Sequence, residues 1–359
     1  MSNTAIVEQI LELARWAPSG DNTQPWRFEI VGPTHLVVHG FDTRADCVYD
    51  LDGHPSQVSL GALLETIAIA ASAHGLRADA ERRPATASRP ETQPTFDVRL
   101  VADANVKPSS LLAAIPQRSV QRRPMRMRSL TAEEKSALQA SVGTGFRVDW
   151  LEGLGPRLRT ARLMYRNAKL RLTMPEAYQV HRRIIEWDAS TSEDRVPDQA
   201  LGVDAMTLKL MKWAMVSWRR LSVMNTLTGT WAPRMQMDML PGLACGAHFV
   251  ISANTAPVTI DDYVAAGREV QRFWLTVTQL GLQLQPEMTP LIFARYSADE
   301  RRFTAADKLI DYARRLRRET AALVPCALEK AIFMGRLGAG KPPAARSLRL
   351  PLARLIKQS

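Results

Sequence analysis

Apolar positions in the first hundred residues change period several times, and each change predicts an element. Ile6 to Trp16 repeats its apolar residues at helical spacing, and Pro18 and Ser19 end that helix in a turn. The runs Trp26 to Val31, His35 to His39 and Phe96 to Ala102 are rich in β-branched and aromatic residues and read as strands. Between them Ser56 to Leu76 is apolar on most of its circumference, with Gly75 as a stop signal, which predicts a buried central helix. The following stretch ADAERRPATASRPETQPT reads as an exposed loop.

A second set of elements starts near Ala113. Thr131 and Glu134 are spaced as a capping box opening a helix, and Phe146 to Trp150 reads as a strand. Long helices are predicted over Arg157 to Trp187 and Gly202 to Met224. A strand at Ala247 to Ala253, a helix from Asp261 to Leu280 stopping at Gly281, and a strand near Leu291 to Tyr296 complete the pattern. Each half thus runs helix, strand, buried helix, strand, and the buried helices end alike, in AHGL and QLGL.

Composition narrows the class. The 359 residues are 46% hydrophobic and 23% charged, which suits one large globular domain or two ordinary ones. Three scattered cysteines, Cys47, Cys245 and Cys326, predict neither a disulfide framework nor a metal site, and a reducing, cytoplasmic setting is expected. The N-terminus lacks the pattern of a secretory signal. The apolar stretch Leu201 to Leu227 is interrupted by Lys209, Lys212, Arg219 and Arg220, so no bilayer span and no membrane partner is expected. A net charge of +11 invites a nucleic-acid reading, but no aromatic-interleaved basic motif accompanies it. Solvated helix faces and a pocket for a phosphate-bearing small molecule account for it instead. His181 and His248 read as structural, Cys245 has no nucleophile constellation, and GRLGAGK lacks the spacing of a phosphate loop.

The segment APSGDNTQPW, Ala17 to Trp26, carries the most chemistry. Asn22 and Gln24 offer amide donors and acceptors suited to a ring edge bearing carbonyl and N–H groups, while Pro25 and Trp26 stiffen the loop. The same peptide also serves as an ordinary helix-to-strand connection with Trp26 in the core. Arg118 and Arg122, four residues apart, share one face if helical, and with Ser119 they suit a dianionic phosphate.

Together APSGDNTQPW, YDLDGHPSQVSLGALLE, RSVQRRPM, EWDASTSEDRVPDQALG, AAGREVQRFWLTVTQLGL and RLGAGKPPAARSLRLPL resemble the FMN-dependent nitroreductase superfamily, in its internally duplicated Acg-type branch and the molybdopterin-biosynthesis-like proteins encoded beside adenylating enzymes. The resemblance implies an α+β nitroreductase fold of two homologous halves, 1–105 and 106–359, forming a pseudo-dimer with mixed sheets flanked by helices. A lid-like helical insertion would occupy about 155–240. In such proteins one flavin takes its ring-edge loop from one subunit and its phosphate motif from the other. Here the loop lies in the first half and RSVQRRPM in the second, which implies one complete FMN site per chain. Pro18, Ser19, Asn22 and Gln24 would meet the ring edge, Arg118, Ser119 and Arg122 the phosphate, and Arg346 and Arg349 the phosphate from the C-terminal side. The implied activity is an oxidoreductase passing hydride through flavin N5 to or from a small-molecule or activated acid or peptide substrate, with NADH or NADPH as donor. The other reading is a lidded protein that sequesters flavin without turnover. No side chain is assigned as acid or base, an adenylating enzyme is an implied partner, and a monomer is expected because the fused halves supply the subunit interface.

Overall fold

A computed structural model describes residues 3–357. The first set of elements comprises α1 (Asn3–Ala14), β1 (Trp26–Gly32), β2 (His35–Gly40), α2 (His54–Ser72), β3 (Leu76–Arg82) and β4 (Thr95–Ala102). The second comprises α3 (Ala132–Ala140), β5 (Phe146–Leu151), α4 (Leu154–Thr173), α5 (Pro175–Ile184), α6 (Ala205–Ala214), α7 (Trp218–Thr228), β6 (Ala247–Ala253), α8 (Ile260–Gln279), β7 (Leu282–Pro286), α9 (Thr289–Ala298), α10 (Asp307–Leu323) and β8 (Ala331–Ala339). The Thr131–Glu134 capping box forms at the start of α3, with Glu134 N donating to Thr131 Oγ1 at 3.1 Å and Thr131 N to Glu134 Oε2 at 2.9 Å.

Two four-stranded sheets form, ordered β3-β4-β2-β1 and β7-β8-β6-β5, so in each the third, fourth, second and first strands of a set lie side by side. Every pairing within them is antiparallel. The expected mixed sheets are corrected accordingly: within these two sheets parallel character is limited to one bridge at an edge of each, Ile356 on Phe28 and Val120 on Leu284, and two separate two-residue pairs, 346–347 with 191–192 and 185–186 with 196–197, are parallel. The first of these bridges joins the two sets, and the second lies within 106–359. Lys357 N donates to Phe28 O at 2.7 Å and Gln121 N to Leu284 O at 2.9 Å, while Leu350 and Leu355 are buried in the core of the first sheet.

The helices α2 and α8 cross where their glycines meet. A Cβ on Gly61 would lie 2.0 Å from Val264 O, and one on Gly267 2.1 Å from Val58 O, so only glycine allows this approach. Gly61 and Gly267 occupy the same position in their helices, and both helices stop at a glycine with positive φ, Gly75 at 66° and Gly281 at 68°. Gln271 Nε2 donates to Thr66 Oγ1 at 2.9 Å and Arg272 pairs with Glu65 at 2.8 Å across the seam.

Four other expectations change. Gly202 to Met224 is two helices, α6 and α7, separated at 215–217, where Ser217 caps the second. Leu291 to Tyr296 is helical, part of α9, because Pro290 sits in the first turn of a helix rather than ahead of a strand. The stretch after α2 contains β3, an edge strand alternating half-buried and exposed residues. Arg157 to Trp187 divides at Met174–Pro175 into α4 and α5, since proline cannot continue the ladder. The segment from α4 to Leu243 lies between β5 and β6, where β1 and β2 are joined by a short turn. Among the described residues no helix is long and apolar enough to cross a membrane.

Candidate functional site

The loop after α1 is unusual backbone. Asp21, Asn22 and Gln24 have φ of 51°, 62° and 48°, a region that costs non-glycine residues about 1–3 kcal/mol each unless the surroundings hold them. The surroundings come from the second set of elements. Asn22 Nδ2 lies 3.2 Å from both Glu193 O and Arg195 O and 3.3 Å from Leu348 O. Gln24 Nε2 donates to Glu193 O at 2.9 Å, and its Oε1 accepts from Leu350 N at 2.9 Å. Ser19 Oγ accepts from Gln24 N at 2.9 Å, and Pro18 is buried beneath the turn. The amide of Gln24 is thus engaged in clasping the loop. Asn22 Oδ1 is buried without a partner.

The clasping segments bring three arginines together. Arg118 is 4% and Arg349 7% exposed and both reach the backbone of Trp16 and Ala17, while the half-buried Arg346 lies against the Trp16 ring. Arg118 donates to Trp16 O at 3.0 Å, Arg349 Nε to Ala17 O at 3.0 Å, and Arg346 to Pro116 O at 2.8 Å. The guanidinium of Arg118 stacks over Trp274 and that of Arg346 over Trp16. Arg118 Nε and Arg346 Nε have no partner. Among the described residues no carboxylate pairs with any of the three. Burial and the nearness of Arg349 and Arg346 hold the Arg118 pKa well below its ordinary value, and burial with Arg346 and Arg15 lowers Arg349 to about 9. Such an arrangement favours an anion, because three desolvated like charges repel. Arg349 and Asn22 both donate to Leu348 O, which joins this cluster to the loop.

Arg122 does not join the cluster. Residues 115–126 are not helical, since Pro116 and Pro124 interrupt the segment and Val120 bridges a strand, so the expected shared face of Arg118 and Arg122 is absent. Arg122 donates to Ala200 O at 3.2 Å and feels the Asp21 carboxylate, though burial lowers its pKa to about 10. Ser119, half-buried, stands between the two. A groove of about 850 Å³ opens on the Arg122 side, with Arg123, Arg126 and Lys341 as further cations and Val203 and Leu208 among its apolar wall.

Sequence reasoning did not find the groups that accompany Asp21. Burial raises the Asp21 pKa against the pull of Arg122 and Arg183. Tyr49 Oη lies 2.9 Å from His181 Nε2, and burial beside Arg171 lowers His181 to about 3, so this histidine is neutral. Burial and the charge of Asp21 push the Cys47 thiol up to about 12. Asp21 and Tyr49 lie inside quoted motifs and were readable there as polar residues among apolar ones. Arg171, on α4, gave no signal.

His248 and Cys245 are structural, as expected. His248 Nδ1 lies 2.6 Å from Glu287 Oε2, and although burial opposes charge, Glu287 raises its pKa to about 10. Arg336 donates to Glu287 Oε1 at 2.8 Å and to Arg122 O at 2.9 Å. The buried chain therefore ends on the backbone of Arg122. Among the described residues no cluster of three metal-ligating side chains occurs.

Residues 3–51, which contain α1, the strained loop and Tyr49, match the Nitroreductase family. An uncharacterized protein of Mycobacterium tuberculosis (strain CDC 1551 / Oshkosh) is 22% identical over 301 residues, covering 80% of this chain and 39% of that protein. The chain spans about two fifths of that relative's length. A solved nitroreductase-like family protein from Bacillus cereus is 10% identical with a TM-score of 0.35, over 70% of this chain and 96% of that one.

Proposed function

We propose that the chain binds one FMN and acts as a flavin-dependent oxidoreductase of nitroreductase type, built as two related halves, 1–105 and 106–359, with the helical segment 155–240 inserted in the second. The observation that carries this reading is the buried, carboxylate-free cluster of Arg118, Arg346 and Arg349 beside a loop within the family-matched residues. The residues fit the group. Two unpartnered Nε donors suit a phosphate, and the unpartnered Asn22 Oδ1 suits an N–H on a ring edge. Arg118, Arg346 and Arg349 would hold the phosphate, Asn22 the ring edge, and Ser19 and Gln24 the shape of the loop. Arg122 and Ser119 would face the groove side. When bound, the flavin supplies hydride transfer at N5. The protein's part is to fix the cofactor between its two sets of elements and to admit a small-molecule or activated acid or peptide substrate, with NADH or NADPH as donor, along the cationic groove. A monomer follows, because residues 193–195 and 348–350 complete the loop within one chain.

Titration of the apoprotein with FMN and with riboflavin tests the site. Wild type is expected to prefer FMN, and Arg349→Ala to weaken FMN by about 1.5–3 kcal/mol while leaving riboflavin unchanged. Equal affinity for both flavins in wild type would place the phosphate elsewhere. Anaerobic addition of NADH or NADPH is expected to bleach the bound flavin. Flavin that stays oxidised with either nucleotide would replace turnover by sequestration.

A further inference from the structure

The helices α6 and α7 leave an apolar face uncovered. Of the fourteen large hydrophobic residues exposed among the described residues, seven fall within residues 206–231; Met206, Leu210 and Trp213 share one face of α6, and Val223 and Leu227 one face of α7. Met206, Leu227 and Trp231 are 75%, 79% and 62% exposed, and Leu210, Trp213, Val216 and Val223 about half. Fixed positive charge is interleaved with them. From Ala205 to Met237 there is no Asp or Glu, whereas Lys209, Lys212, Arg219, Arg220 and Arg234 are present. Arg234 is buried against Tyr165, Lys212 pairs with Asp188 and Arg220 stacks on Trp213. Lys209 and Arg219 are exposed, and neither pairs with a carboxylate among the described residues.

We propose that the α6–α7 face docks on the surface of an anionic lipid bilayer. Self-association through a two-fold axis would set this cationic face against itself, so its charge selects an anionic partner. A lipid surface also accommodates what a folded partner would have to match residue by residue. Apolar side chains from two helices and the Trp231 turn enter the headgroup boundary, tryptophans take the interfacial depth, and Lys209 and Arg219 meet phosphates. The contact lies on the surface, in keeping with the absence of a spanning helix among the described residues. Val203 and Leu208, which line the 850 Å³ groove, belong to or adjoin α6, so docking would bring the groove to the membrane surface. The inference stands apart from the flavin reading.

Co-sedimentation of the full chain with vesicles of phosphatidylcholine alone, or mixed equally with phosphatidylglycerol, tests it. Binding is expected to the anionic vesicles only, weakening with salt and accompanied by a blue shift of tryptophan emission. At roughly fivefold per cation, Lys209→Gln with Arg219→Gln should weaken binding about 25-fold, and Leu227→Ser with Met206→Ser should abolish the blue shift. Both pairs are surface changes whose folding is checked by circular dichroism. No binding to anionic vesicles, or binding that survives both pairs, overturns the proposal. So does a concentration-dependent dimer that Trp213→Ser dissolves, which would give the face to a second copy.

Discussion

The crossing of α2 and α8 offers a sharp quantitative test in Gly61→Ala. The new Cβ would lie 2.0 Å from Val264 O and 2.8 Å from Gly267 Cα, and both are backbone atoms of a helix buried on most of its surface. No rotamer change relieves such a contact. To restore ordinary contact the helices must separate or slide by more than 1 Å, which opens space along the whole seam. Overpacking costs about 1–3 kcal/mol, and contact with backbone places this case at the upper end. Alanine recovers about 1 kcal/mol of helix propensity, leaving a net loss of about 2 kcal/mol. For a chain of this size that is a fall in Tm of roughly 2–3 °C, read by thermal denaturation against Gly145→Ala, whose Cβ meets nothing. Because both glycines relieve one approach, Gly61→Ala and Gly267→Ala together should cost less than their sum. A Gly61→Ala protein melting within 1 °C of wild type would refute the close crossing.

The His248–Glu287 pair should make stability depend on pH. His248 has its pKa raised from the ordinary 6.5 to about 10, so its stabilisation is complete below about 6.5 and is lost as pH rises through 10. Tm should fall between pH 7 and 10, and Glu287→Gln should flatten that slope while lowering Tm throughout; an unchanged slope would refute the pairing. Thr131→Ala removes the acceptor for Glu134 N and should cost about 1 kcal/mol, seen as a lowered Tm without loss of flavin. Light scattering at several concentrations should give a constant mass near 40.0 kDa, and a stable mass near twice that, losing flavin on dissociation, would show a site completed between chains.

Periodicity revealed α1, α2, α8 and β6 because each is long or fully apolar, and the shared glycine endings marked α2 and α8 as similar helices without showing that they cross. It failed where burial and polarity part company. The strand β8 carries Arg336 at 2% exposure, a charge readable as a solvated tail until Glu287 is seen beside it. The edge strand β3 alternates with Arg77 and Asp79, which pair with each other at 2.8 Å rather than mark a loop. At the site, residue types were legible but not their partners. Asn22 and Gln24 are polar loop residues by sequence, yet the carbonyls that engage them are those of Glu193, Arg195 and Leu348, and backbone acceptors leave no trace in side-chain identity. Arg118 and Arg122 diverge because a four-residue spacing has meaning only in a helix.

The clasp on the Ala17–Gln24 loop also sets a timetable for biosynthesis. Asn22 bonds to Leu348, 326 residues downstream, so at ordinary translation rates the loop waits roughly 15–65 s for its partner. Throughout that interval β1 presents a bare edge where Ile356 will later bridge, and the core of the first sheet lacks Leu350 and Leu355. A nascent chain stalled before residue 346 should be cut readily by protease near residues 17–24, and one in which residues 346–357 have emerged should resist. The amino-terminal third therefore stays open to protease until residues 346–356 have been made.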